Sequence, residues 1–223
     1  MILWGPHSIS YTELGEFSYG WEKLRENEKV DVALKKNGSS FLEMEKMKSE
    51  NKPIFIFSMC KARNDRKMIE YALSKYPKQK CAMLPIKGGR VYELVNRMMC
   101  ENLRDKGGEV KHFLLPCLYE EKDSEEINRL IDFAFGEYLY DLLENRNVRC
   151  GYSSDKELMI TLMWMICTMI KGMSNNGTDL SYEKEVRLIV IGEKAMKDTE
   201  MIEFGFEKSD WESVLGEVSI LEK

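Results

Sequence analysis

The chain has 223 residues, of which 43% are hydrophobic and 32% charged, a balance typical of a folded domain with a sizeable core. Its 33 basic and 38 acidic residues give a net charge of −5, which excludes a global positive field that would attract nucleic acid or an anionic membrane. No Gly/Ser/Pro-rich linker interrupts the sequence, so we expect a single domain over residues 1–223.

The first half predicts helices and short strands in alternation. In chain order these are a strand at 2–4, helices at 13–25 and 40–50, a strand at 53–58, a helix at 64–76, a strand at 81–86, a turn at 87–89 and a helix at 90–105. The run from Pro53 to Ser58 is continuously apolar and too short for a helix. We therefore expect it to be a central strand.

The second half predicts two long helices and a strand rich in β-branched residues. The elements are a strand at 112–119, helices at 124–144 and 155–173, a turn at 174–177, a strand at 185–191, an edge element around 202–204 and a final strand at 217–221. Pro116 places the 112–119 strand at an edge or a bulge. The pattern predicts an α+β fold, with flanking helices around a mixed or antiparallel central sheet.

Signals for secretion, membrane insertion and metal binding are missing from the sequence. The chain starts without a signal peptide, so we expect a cytoplasmic protein with reduced cysteines. The longest apolar run, 158–170, has 13 residues, fewer than the roughly 20 of a membrane span, and predicts a buried helix and no membrane partner. Without a Cys-x-x-Cys pair, and with His7 and His112 far apart, no metal site is expected.

The most informative segment is 181–191, where paired acids enter a strand. Strand alternation predicts that Glu183, Glu185 and Arg187 share one face and that Tyr182 lies on the other. In a cleft, one carboxylate could bind a sugar hydroxyl or stabilise a cationic transition state while the other acts as a base, with Arg187 keeping both ionised. A solvated face with an ordinary Glu/Arg pair explains the pattern equally well.

Four sets of short motifs lie along the chain, at 3–7 with 16–20, 54–60 with 64–65, 115–119 and 182–187. Together they resemble a bacterial family known as domain of unknown function 2971. The last set is the best preserved, with Val186 where the family usually has Trp. Thr12-Glu13 stands in place of the family's Asn-Asp, and Ile69-Glu70-Tyr71 in place of Trp-Arg-x-Tyr. The resemblance implies a role in bacterial conflict or anti-phage defence.

The Glu-x-Glu-Val sequence that opens the last predicted strand also resembles the third motif of the ADP-ribosyltransferase superfamily. This resemblance implies an ADP-ribosyltransferase-like fold that takes NAD as substrate and modifies a macromolecule, either protein or nucleic acid. It implies a catalytic role for Glu185 with Glu183 beside it, and an NAD pocket formed by His7, Ser58, Arg187 and Tyr182. The simpler alternatives are a surface or satisfied histidine at position 7 and a turn hydroxyl at Ser58.

Three hypotheses for function follow. The first is NAD-dependent transfer with Glu185 indispensable. The second is a non-catalytic sensor or adaptor that binds a protein or nucleotide ligand, which the departures from the family motifs favour. The third is a metal-dependent nuclease, which would need Asp65, Glu183 and Glu185 to meet in the fold.

Overall fold

The structure is a computed structural model that describes residues 2–4, 11–49, 54–61, 66–75, 81–83, 85–102, 111–145, 152–172, 181–191, 201–203, 207–217 and 219–221. Helices and strands are both present, and the main sheet is antiparallel with helices flanking it. The predicted α+β class is therefore confirmed.

Most of the described helices and strands match predicted ones with shifted ends, but the helices at 28–36 and 208–214 and the short strand at 170–171 were not predicted. The helices are α1 Tyr11–Glu26, α2 Glu28–Lys36, α3 Phe41–Ser49, α4 Arg66–Lys75, α5 Gly88–Asn102, α6 Glu120–Phe133, α7 Leu139–Glu144, α8 Asp155–Met169 and α9 Lys208–Val214. The strands are β1 Ile2–Trp4, β2 Ile54–Cys60, β3 Cys81–Met83, β4 Lys111–Pro116, β5 Leu118–Tyr119, β6 Ile170–Lys171, β7 Glu185–Ile191, β8 Met201–Glu203 and β9 Ser219–Leu221.

The main sheet has five strands in the order β4-β7-β2-β1-β8. The central strand β2 pairs with β7 from Ile54 opposite Ile191 to Cys60 opposite Glu185. On its other side, β7 pairs with β4, which ends at Pro116 and forms one edge of the sheet. The predictions of a central strand at 53–58 and an edge strand at Pro116 are therefore confirmed. Proline suits an edge strand because it lacks the N–H that an inner strand must donate.

Both faces of the β2–β7 pair are covered. One face packs on α5 and α9 through Phe55, Val91, Val95, Leu188, Val190 and Val214. The other face packs towards α8 through Ile54, Trp164, Ile189 and Ile191. A strand buried on both faces has a nearly continuous apolar sequence, which explains why β7 was predictable. Because side chains alternate along a strand, Glu185 and Arg187 lie on the α8 side with Ile189 and Ile191.

A second, larger apolar cluster is made mainly of helices, with Ile170 of β6 added to it. It joins α1, α2, α3, α6, α7 and α8, with Leu24, Leu34, Phe135, Met159 and Met163 fully or almost fully buried. Helix α8 has Ser154 as its N-cap, whose Oγ accepts from the Glu157 N–H at 3.2 Å, and the Glu157 carboxylate accepts from the Ser153 N–H. Among the described residues, no helix is both long and apolar enough to cross a membrane.

Two local predictions were wrong. Gly88 and Gly89 begin helix α5 rather than forming a turn, because the carbonyl of Lys87 accepts from the N–H groups of Arg90 and Val91. The single helix predicted over 124–144 is instead interrupted by a π-helical turn at Ala134–Tyr138. Its wider turn brings the rings of Phe133 and Tyr138 into a stack with centroids 5.9 Å apart.

Gly20 allows α1 and α8 to approach closely. A Cβ at this position would lie 2.8 Å from Cys167 Cα, a backbone atom that cannot move aside cheaply. We expect Gly20→Ala to lower the free energy of unfolding by about 1–3 kcal/mol. Gly89→Ala is the control, because nothing lies within 4 Å of its added Cβ. Urea unfolding of both variants checks the prediction, and equal stability of the two would contradict it.

Candidate functional site

Five polar side chains meet where β2 ends and β7 begins, beside β6. This charge cluster consists of Ser58, Lys171, Glu183, Glu185 and Arg187. Ser58 lies on β2 opposite Arg187 on β7, and both side chains therefore extend from the same face of the sheet. Ser58 and Lys171 are distant in sequence from Glu183, Glu185 and Arg187, so the fold brings them to the other three.

Glu185 is at the centre of the cluster and its carboxylate accepts four hydrogen bonds. Oε1 accepts from Ser58 Oγ and from Arg187 Nε at 2.7 Å. Oε2 accepts from Lys171 Nζ at 2.8 Å and from Arg187 Nη2 at 3.3 Å. A carboxylate has about four lone-pair sites, so these four hydrogen bonds occupy the acceptor sites of Glu185. Its side chain is held by two cations and one hydroxyl.

The two cations connect the sheet to the end of helix α8. Arg187 Nη1 donates to the carbonyl of Thr168 at 3.0 Å, in the last turn of that helix. Lys171 follows the helix by two residues and contacts both Glu183 and Glu185. The C-terminus of a helix carries partial negative charge, so cations are stabilised in this position. The cluster therefore fixes the helix end against the sheet.

The backbone around Glu185 is also tightly held. Its N–H donates to the hydroxyl of Tyr119 at 2.8 Å, and its carbonyl accepts from the N–H of Cys117 at 2.9 Å. Lys184 adopts a left-handed conformation with a φ of 44°, and its carbonyl accepts from the N–H of Lys61 at 2.8 Å. This turn changes the direction of the chain between Glu183 and the strand.

The cluster is electrically balanced, and three of its members are buried whereas Ser58 is exposed. Glu185, Lys171 and Arg187 are 8%, 6% and 4% exposed. Burial raises the pKa of Glu185, but the neighbouring Arg187 and Lys171 outweigh it and lower the pKa to about 2. Burial also raises the pKa of Tyr119, which keeps its hydroxyl protonated. Two acids and two bases cancel, which is the condition under which buried charges are tolerated.

The low pKa of Glu185 predicts a specific pH dependence of stability. The ionised form stabilises the fold above the ordinary pKa of 4.5, and this contribution is lost as the pH falls towards 2. The difference corresponds to up to about 3 kcal/mol. We expect Glu185→Gln, which does not titrate, to lose less stability between pH 6 and pH 3 than the unchanged chain. Urea unfolding across that range checks this, and parallel pH curves would contradict it.

The structure brings together four of the residues predicted from the sequence: Ser58, Glu183, Glu185 and Arg187. Glu185 and Arg187 share a strand face as predicted, but that face is buried, so the solvated-face alternative is wrong. Glu183 was expected to join them by strand alternation. It lies instead in a 3₁₀ turn, Ser181–Glu183, and reaches the cluster through Lys171.

Two predicted site residues lack a described side chain. The backbone of Tyr182 belongs to the 3₁₀ turn, and its side chain is not described. His7 lies outside the described residues. Strand β1 runs antiparallel to β2 with Trp4 opposite Ile56, so the Ile2 end of β1 is the end nearer to Ser58.

Sequence reasoning missed Lys171 and Tyr119. Lys171 had a signal, because it is the first charged residue after Glu157 and follows a run of apolar side chains directly. A lone charge at the end of a buried helix needs a partner, and the acids that follow in the sequence, at 179, 183 and 185, were candidates. Tyr119 ends the 115–119 segment of the family resemblance, but no site role was predicted for it, since a tyrosine closing a short strand is also ordinary core material.

A separate groove lies on the opposite side of the sheet. It has a volume of about 580 Å³ between α5 and α9 and is lined by both basic and acidic side chains: Lys87, Arg90, Glu93, Arg97 and Asp210 among them. Arg97 is paired with Asp210 at 2.9 Å and Arg90 with Glu93 at 2.7 Å. No member of the charge cluster lines this groove.

Within the described part of the chain, no three His, Cys, Asp or Glu side chains are arranged to hold a metal ion. Asp65, which the nuclease hypothesis requires, lies outside the described residues. Comparison with protein-family models, with curated proteins and with solved structures found no match. The two family resemblances therefore rest on the sequence motifs alone.

Proposed function

We propose that the chain is a NAD-dependent, ADP-ribosyltransferase-like enzyme that modifies a macromolecular target in bacterial conflict or anti-phage defence. The observation that carries the proposal is the hydrogen bond from Ser58 to Glu185, between residues 127 positions apart in the sequence. The motif resemblance implies a serine on one strand beside an acid on another. That pairing, found at the end of two central strands, supports the proposal.

The electrostatics of the cluster suit such a transfer. The bond between ribose C1′ and the nicotinamide nitrogen breaks, and nicotinamide leaves with the electron pair. A nucleophile of the target then bonds to C1′ and releases its proton to a carboxylate or to water. Positive charge develops on the ribose in between, and an ionised carboxylate stabilises it. With a pKa of about 2, Glu185 stays ionised at neutral pH.

Label transfer from NAD tests this proposal. Purified chain would be incubated with bacterial cell extract and with NAD labelled in its adenylate phosphate. We expect labelled macromolecules to accumulate together with free nicotinamide, and neither to form with heat-denatured chain. Nicotinamide release without labelled product would indicate hydrolysis of NAD, and the absence of both would contradict the proposal.

A non-catalytic sensor or adaptor is the second candidate, and one observation favours it. The four donors around Glu185 form a closed ion network of the kind that also stabilises folds without chemistry. Under this alternative, purified chain retains a stoichiometric protein or nucleotide ligand and converts no NAD. Retention of that ligand should be unchanged by Glu183→Gln.

A further inference from the structure

We infer that Glu183, rather than Glu185, is the carboxylate that contacts the ligand, and that Lys171 is the positioning residue that holds it. This inference rests on the proposed function and names which acid of that site meets the substrate. It reverses the roles that the sequence motif implies for the two glutamates. The argument depends on how the two carboxylates are occupied.

Glu185 is poorly placed to bind anything more. Its two oxygens accept from Ser58, from Lys171 and twice from Arg187. The side chain is only 9% exposed. A ribose hydroxyl could reach Glu185 only by displacing one of these donors, which would leave a buried cation without its partner. Glu185 is therefore suited to organise the cluster.

Glu183 differs from Glu185 in the exposure of its side chain and in the number of hydrogen bonds that its carboxylate accepts. Its side chain is 17% exposed, about twice the value for Glu185. Among the described residues, its Oε2 accepts from Lys171 and its Oε1 has no hydrogen-bond donor. The 3₁₀ turn that carries it precedes the strand, so it lies at the outer end of the cluster. One oxygen of Glu183 is thus available to accept a hydroxyl of the nicotinamide ribose.

Lys171 determines where Glu183 lies. Its ammonium group contacts both Glu183 and Glu185, and its side chain is 8% exposed. Arg187 and the backbone of β7 hold Glu185 in place. Because Lys171 contacts both glutamates, it holds Glu183 at a defined position relative to Glu185. The buried cation also offsets the repulsion between the two negatively charged carboxylates that it contacts. Without Lys171, Glu183 would lose its only described side-chain partner.

Kinetics of nicotinamide release with three variants test this assignment. Glu183→Gln is expected to lower kcat at least about 100-fold, because the substrate loses its charged contact. Lys171→Met is expected to lower kcat about tenfold or more while KM for NAD stays within about threefold, because only positioning is lost. Lys171→Arg, which can donate to both carboxylates, should restore most of the lost kcat. If Lys171 were purely structural, Lys171→Met would not lower kcat while leaving KM for NAD nearly unchanged.

Thermal unfolding and a matched control accompany the kinetics. Glu183→Gln should keep an unfolding midpoint closer to that of the unchanged chain than Glu185→Gln does, since Glu183 is less buried. Glu212→Gln removes an exposed acid paired with Lys208 on α9 and should leave kcat unchanged. Wild-type kcat in Glu183→Gln would overturn the inference and leave the proposed function standing. No nicotinamide release by the unchanged chain would overturn both. If Lys171→Met does not fold, the kcat of Glu183→Gln still tests whether Glu183 contacts the ligand.

Discussion

Arg187→Met is expected to lower the free energy of unfolding by about 3–5 kcal/mol, because it leaves Glu185 buried with too few positive partners. Arg187 donates twice to Glu185 and once to the carbonyl of Thr168, and it is 4% exposed. Methionine fills a similar volume, so the loss reports the missing charge and hydrogen bonds. Urea unfolding at neutral pH measures it.

Arg90→Met is the matched control for this change. Arg90 pairs with Glu93 at 2.7 Å, but both side chains are more than 60% exposed, so the expected loss is about 0–1 kcal/mol. A double variant, Arg187→Met with Glu185→Leu, should recover part of the stability by removing the stranded charge. A loss in Arg187→Met no larger than in Arg90→Met would show that the charge cluster does not stabilise the fold.

Glu185→Gln is expected to lower the rate of label transfer from NAD at least about 100-fold. The neutral amide keeps the size of the side chain, but it cannot balance Lys171 and Arg187, so the cluster carries excess positive charge. That charge repels the cationic ribose of the transition state and also disturbs the position of Glu183. The rate is measured with cell extract and labelled NAD.

Stability must be followed in parallel with that rate, because Glu185 is also central to the fold. The variant should still unfold cooperatively at the assay temperature, as circular dichroism can show. Glu212→Gln serves again as the exposed control. Full label transfer by folded Glu185→Gln would contradict a catalytic site at the charge cluster.

The sequence predicted the sheet well where burial dictates composition. Strand β7 and the first half of β2 pack against side chains on both faces, so their apolar runs gave a strong signal. Pro116 marked the edge strand because its missing N–H excludes a central position. The π-helical turn at Ala134–Tyr138 was not predictable, since one extra residue in a helical turn changes neither composition nor apolar spacing enough to be seen.

The candidate site was predicted in part. Glu185 and Arg187 followed from the two-residue period of a strand, and Ser58 from a motif resemblance. Glu183 was predicted to join the cluster by strand alternation, and this reason was wrong. Lys184 takes a left-handed conformation and ends the alternation before the strand begins. Lys171 was missed because its partners depend on where helix α8 ends relative to the sheet, which is a tertiary property.

Hydrogen exchange with and without NAD tests the central claim most directly, because it locates ligand binding without requiring turnover. Backbone amides would be compared peptide by peptide for the unchanged chain. The account predicts slower exchange in segments 54–61 and 181–191 when NAD is present. Unchanged exchange in both segments, or protection confined to the α5–α9 groove, would contradict a NAD site at the charge cluster.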